Sequence, residues 1–216
     1  MMNFKMFSCG ALAVTALASF GLSSSAQAAS IVTNGGFELP VLADSSYTIS
    51  NSIPGWIRDA VSTGSGIEIQ RQNIAGLAFQ GQQFAELDSD GVTSIFQDLA
   101  TKVGQQYRLN FAFSARPNVA DNQLDIGWGG NPVDSLSAIG QPGTFWNQFS
   151  YLLTATSGTT RLSFGNLGET SDSLGSYIDA VSVTAVPTPA LLPGLVGLGI
   201  AALRKRKAEA MAESDA

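Results

Sequence analysis

The stretch QYRLNFAFSA, residues 106–115, decides the fold class. Tyr107, Leu109, Phe111 and Phe113 alternate with Arg108, Asn110 and Ser114, the period of two that places one set on each face of a β-strand. Outward from it the same pattern recurs. NQLDIGW (122–128) aligns Leu124, Ile126 and Trp128. FWNQFSYLLT (145–154) aligns Phe145, Phe149, Tyr151 and Leu153 and leaves Trp146 and Gln148 opposite. TRLSFGN (160–166) adds Leu162 and Phe164, and weaker alternation runs through 67–70, 84–88 and 94–99. Clusters of Gly, Ser, Asn and Pro separate these runs, and no helical periodicity is sustained between Ser30 and Ala185. Many short strands with turn signals between them predict an all-β antiparallel sandwich.

The final run, SYIDAVSV (176–183), breaks the alternation: Ile178 is in one phase, Val181 and Val183 in the other. Burying all three requires one extra residue near Asp179-Ala180, a bulge that turns Asp179 out of the regular ladder. No internal repeat or long linker divides residues 30–185, and a segment of that size buries an adequate core without disulfides.

Composition narrows the function. Between Ser30 and Ala185 six basic residues face fourteen acidic ones, a net charge of −8 that repels phosphate backbones and argues against nucleic acid as a partner. The chain has no histidine, so the commonest general base and transition-metal ligand is missing. Oxygen-ligated hard cations remain open. The one cysteine, Cys9, lies in the first thirty residues, where Lys5, an apolar stretch from Gly10 to Leu22 and Ala26-Gln27-Ala28 have the layout of a secretory signal peptide over residues 1–29. Its removal leaves neither a disulfide nor a thiol nucleophile.

The other end carries VPTPALLPGLVGLGIAALRKRK, residues 186–207, followed by an acidic tail, 208–216. The fifteen uncharged residues from Pro189 to Leu203 span roughly 22 Å as a helix, short of the ~30 Å hydrocarbon core, and make a marginal membrane anchor. Arg204, Lys205, Arg206 and Lys207 then stay cytoplasmic and the bulk of the chain lies outside. Pro187, Thr188, Pro189 and Ala190 before the apolar run and the basic cluster resemble the PTPA variant of PEP-CTERM sorting signals, with Thr188 where the related motif has Glu. The resemblance implies recognition by an exosortase, transient anchoring through the C-terminal segment, and delivery to the cell surface or extracellular polymer. Whether the signal is cut is left open.

NGGFELP (34–40), PGW (54–56), GQQFAELDSD (81–90), SIFQDL (94–99), GQQYRLNFAFSA (104–115) and YIDAVSV (177–183) resemble, in that order, the galactose-binding-like jelly rolls, which include carbohydrate-binding modules. The resemblance implies that Trp56 closes the sandwich. It also implies a structural calcium joining the chain's ends through Glu38 and Asp179. Against it, Glu38 before Leu39-Pro40 could be solvated and Asp179 could cap a turn.

A site for extracellular polysaccharide needs aromatic faces beside paired hydrogen-bonding groups. Trp146, opposite the apolar set of its strand, is the aromatic candidate, and Glu86, Asp88 and Gln97 either line a concave face with it or form a solvated polar face. Trp128 is expected in the core; Tyr47 and Tyr177 are undecided. Glu86 and Asp88 also invite a glycosidase reading, but two residues apart on a strand they share one side of a bound sugar, whereas hydrolysis needs carboxylates flanking the bond. The expectation is therefore a non-catalytic exported protein that binds or organises polysaccharide, with an inert structural surface protein as the alternative.

Overall fold

The computed structural model describes residues 28–72, 74–166 and 171–187. The expected signal peptide up to residue 27, the sorting signal from Thr188 onward and the acidic tail lie outside the described residues. Among the described residues every regular element is a strand, and no helix is long and apolar enough to cross a membrane.

The strands are β1 (Tyr47–Ser50), β2 (Ser52–Ile53), β3 (Trp56–Arg58), β4 (Ile67–Arg71), β5 (Gln83–Glu86) and β6 (Ser94–Ala100) in the first half. The second half holds β7 (Gln106–Ser114), β8 (Asn122–Trp128), β9 (Asn131–Ala138), β10 (Asn147–Thr154), β11 (Thr159–Gly165) and β12 (Tyr177–Ala185). They form two six-stranded sheets, ordered β1-β4-β5-β12-β7-β10 and β2-β3-β6-β11-β8-β9. All pairings are antiparallel. The non-sequential neighbours mark crossovers between the sheets, giving a jelly-roll sandwich.

The alternating residues of the sequence fill the space between the sheets. Leu109, Phe111 and Phe113 of β7 meet Leu124, Ile126 and Trp128 of β8 and Leu162 and Phe164 of β11 in one buried cluster. Phe111 and Phe164 meet edge to face with centroids 5.0 Å apart. Trp56 is fully buried between Phe37 and Phe164, and its indole N–H donates to the Asn34 carbonyl at 3.1 Å, so it closes the sandwich as expected.

The bulge in β12 is present. Asp179 pairs with Ala112 and Ser182 with Asn110, three steps on one strand against two on the other, and Ala180 adopts φ 51°. The extra residue lets Ile178, Val181 and Val183 all turn inward. It also frees the Val181 N–H to donate to the Gly35 carbonyl at 2.8 Å, binding the N-terminal segment beside β12. A side chain at Gly35 would overlap the Val181 carbonyl, so glycine is required at this close approach.

Two details differ from the sequence expectation. Phe145 is 68% exposed instead of joining Phe149, Tyr151 and Leu153, because the β10 ladder begins only at the Asn147–Phe113 pair and nothing covers the residue before it. The edge strand β9 was not expected, since Pro132 and a largely polar sequence obscure the inward set Val133, Leu136 and Ala138.

Candidate functional site

Alternation that sends Ile67, Ile69, Ala85 and Ile178 into the core sends Glu68, Gln70, Phe84, Glu86 and Tyr177 to the other face of the first sheet. Register then aligns Glu68, Glu86, Tyr177 and Ser114 in one row across β4, β5, β12 and β7. An outward row is normally wet, yet Glu86, Gln70 and Tyr177 are 0% exposed. Trp146 and residues 74–82 of the β4–β5 connection lie over Phe84 and Tyr177, and Arg116 and Gly175 lie over Glu86. The indole of Trp146 packs 5.8 Å from Phe84, 6.5 Å from Tyr177 and 6.2 Å from Phe79 of that connection, and its N–H donates to the Leu77 carbonyl at 2.8 Å. Thr144 adds two hydrogen bonds to Leu77, at 3.1 and 3.0 Å. The connection is thus a strap latched across the sheet.

Beneath it, Glu86 accepts hydrogen bonds from Gln70, from the Arg116 guanidinium and from the Gly175 N–H at 2.8 Å. Burial, and then the neighbouring Glu68 charge, push its carboxyl up to about 8; burial likewise raises Glu68. One cation between two buried carboxyls favours keeping a proton on the pair, which leaves the row close to neutral. Gln70 Oε1 and Tyr177 Oη have no hydrogen-bond partner among the described residues.

Beside this row, Glu38 and Asp179 are brought together from the two ends of the domain. Glu38 Oε1 accepts from the Gln82 and Gln83 N–H groups at 2.7 and 3.0 Å. Asp179 accepts from the Gln80 N–H at 2.9 Å and from the Ala180 N–H at 2.5 Å. Gly36 lies between them: a Cβ there would sit 3.8 Å from Glu38 Cγ and 3.9 Å from Asp179 Oδ1. Burial pushes Asp179 up to about 7, partly offset by the backbone donors and reinforced by the Glu38 charge. Two carboxylates repelling each other beside a small residue suit a divalent cation. Further ligands would be backbone or solvent oxygens, since among the described residues no group of three or more acidic, Cys or His side chains is placed to hold a metal.

At the loop end of the sandwich, beyond β5 and β11 and before β8, a cavity of about 570 Å³ is lined by Asp88, Asp121, Asn122, Gln123, Asn166 and Asp172, with Ala138 and Ile139 as its apolar wall. Asp88 is buried and accepts from the Ser171 hydroxyl at 2.5 Å; burial raises its carboxyl, and the charges of Asp172 and Asp121 add to the shift. The Asn122 side chain is committed to the Arg116 N–H and the Val119 carbonyl. Asn166 is 5% exposed, and its Oδ1 has no partner among the described residues. A buried amide oxygen without a donor costs free energy unless something arrives to supply one.

Of the four residues picked for sugar contact, Glu86 and Trp146 share the strapped face of the first sheet and Asp88 lies two residues further along β5's path, in the cavity. Gln97 is on the second sheet, where it accepts from the Thr33 N–H at 2.7 Å and donates to the Thr33 carbonyl at 3.0 Å, holding the N-terminal segment. It is not brought to the other three. Asp121, Asn166 and Asp172 were not singled out; they lie in or beside connections, where alternation is silent.

No family model matches the chain, and no curated protein matches it. Among solved structures the chain is similar to the K1 cleaved adhesin domain of Lys-gingipain from Porphyromonas gingivalis W83, at 16% identity over 66% of this chain and 98% of that one, with a TM-score of 0.51. It is also similar to the K2 cleaved adhesin domain of Lys-gingipain, at 12% identity over 72% and 97%, TM-score 0.50. A third similar structure is TmCBM61 in complex with β-1,4-galactotriose, at 18% identity over 73% and 99%, TM-score 0.46. The two adhesin domains share this chain's β-sandwich fold.

Proposed function

We propose that the protein is an exported, non-catalytic module that binds or organises extracellular polysaccharide at the cell surface, and that a sugar unit occupies the loop-end cavity. The observation that carries this reading is the cavity itself, where the carboxylates of Asp88, Asp121 and Asp172 stand around an open space of about 570 Å³. Sugar hydroxyls are donors that match such acceptors, and Ile139 gives an apolar wall to the ring's C–H face. Asp88 keeps its place from the sequence reading, whereas Trp146 and Glu86 are assigned to the strap and the row it seals. The test is affinity electrophoresis of the full-length chain in gels carrying neutral polysaccharides. Retention that Asn166→Ala abolishes is the expected result; equal retention by both proteins would remove the cavity from the reading, and reducing ends released during incubation would make the protein a hydrolase.

Export and sorting follow the same proposal: a signal peptide over 1–29 and exosortase recognition of the segment that starts at Val186. Intact mass of protein recovered from the cell envelope checks both. Calcium between Glu38 and Asp179 is proposed as a structural ion. When bound it would neutralise the two carboxylates, while the Gln80, Gln82 and Gln83 N–H groups orient their oxygens. An ion present at a hundred times its Kd stabilises by about 2.7 kcal/mol, so EGTA is expected to lower Tm by several degrees in wild type and not in Asp179→Asn. An unchanged wild-type melt, with no metal by elemental analysis, rejects the ion.

A further inference from the structure

The cavity lining is unbalanced in sign. Among the described residues its charged side chains are Asp88, Asp121 and Asp172, and no Lys or Arg lines it. Arg116, whose backbone N–H donates to the lining residue Asn122, turns its guanidinium to Glu86 and to the Ser173 carbonyl at 3.4 Å. Asn122 Nδ2 donates one hydrogen to the Val119 carbonyl and Gln123 Nε2 one to the Ser135 hydroxyl at 3.1 Å. The three carboxylates are acceptors without an ionised donor in the lining, and Asn166 Oδ1 is itself closed to solvent.

Resting on the carbohydrate reading above, we infer that this cavity selects uncharged sugar units, which donate through their hydroxyls, and rejects uronates. A uronate carboxylate would enter among three carboxylates without a counter-charge, and it would bring an acceptor where donors are wanted. The neutral unit of the same stereochemistry, with a C6 hydroxyl in place of that carboxylate, adds a donor instead. Charge-assisted O–H···O⁻ bonds are the stronger kind, so the difference falls on the contacts that hold the ligand.

The test uses polygalacturonate, polyglucuronate and alginate, each paired with its carboxyl-reduced counterpart, in affinity electrophoresis of the full-length chain at low salt. The reduced polymer of at least one pair is expected to retain the protein roughly tenfold more tightly than the acid form. The exposed carboxylates Asp121 and Asp172 are outside the core, so Asp121→Asn/Asp172→Asn is expected to fold normally and to narrow that ratio several-fold. Acid forms retained as well as reduced ones, with retention still lost in Asn166→Ala, would overturn the charge selection and leave the cavity reading standing. An undiminished ratio in the double variant would overturn the role of these two carboxylates. Retention of wild type by no member of the set would overturn the reading and the inference together.

Discussion

Two acidic clusters lie within the same half of this domain, and they differ in how their charge is settled. In the strapped row, Glu68 and Glu86 are matched by Arg116, crossed by Gln70 and roofed by Trp146, Phe79 and Leu77. In the loop-end cavity, Asp88, Asp121 and Asp172 have no cation among the described lining residues, and an open space of about 570 Å³ remains between them. Similar side chains therefore serve opposite purposes. The first cluster is matched by a cation and holds a strap to a sheet, although Gln70 Oε1 and Tyr177 Oη keep no partner among the described residues; the second keeps its charge beside an open space, where we propose that a ligand binds.

The largest expected effect comes from removing the cation that balances the row. Arg116→Ala leaves two buried carboxyls facing each other, and breaking a buried ion pair from one side costs about 3–5 kcal/mol. At this chain length that corresponds to a Tm lower by roughly 10 °C. If thermal melting shows a loss of a degree or less, the row is hydrated and the contrast between the two clusters fails.

Trp146→Ala comes next. The indole is half-buried, so its removal is expected to cost about 2–3 kcal/mol, below the value for a core tryptophan. The distinguishing readout is local: limited proteolysis should cut faster within residues 72–82 while the rest of the sandwich persists. Polysaccharide retention measured below the lowered Tm should be kept. Loss of retention in the folded variant would return Trp146 to the sugar site.

These assignments show what was legible in the sequence and what was not. Strands β7, β8 and β11, the core around Phe111 and Phe164 and the β12 bulge all follow from local alternation, because one face of each strand is buried against the opposite sheet, whereas the closure by Trp56 comes from the resemblance to jelly rolls. The fate of the other face depends on what crosses it. Nothing near Phe84 or Glu86 says that residues 74–82, Trp146 and Arg116 come to lie over them, so a row that reads as solvated is sealed. One signal was available: Phe84, Trp146 and Tyr177 are three aromatic rings in the outward phase, which implies a cover of some kind. The cavity residues Asp121, Asn166 and Asp172 meet only through the third dimension, at the ends of strands distant in sequence.

A smaller effect separates the clusters by pH. Glu86 and Asp179 are pushed up to about 8 and about 7 in the folded chain, from ordinary values of 4.5 and 3.8. The folded state thus holds protons that the unfolded chain has released, so the stability they contribute is complete below their ordinary values and is lost as pH rises toward 8. With EGTA present to keep calcium from masking Asp179, Tm is expected to fall by a few degrees between pH 5 and pH 8. Glu86→Gln should remove the larger part of that slope, and a slope unchanged in this variant would detach it from the row.

The smallest change in stability is expected where the change in binding is greatest. Truncating a satisfied buried amide ordinarily costs about 1–3 kcal/mol because its partners are left bare. Asn166 Oδ1 has no partner to strand among the described residues, so Asn166→Ala removes an uncompensated polar atom and a little packing, terms of opposite sign. Its Tm is expected to stay within about 2 °C of wild type, a shift of under 1 kcal/mol. A loss as large as that of Trp146→Ala would mean that this oxygen is already satisfied in the free protein. The cavity would then be another internally settled cluster, with no surplus of acceptors for a sugar to relieve.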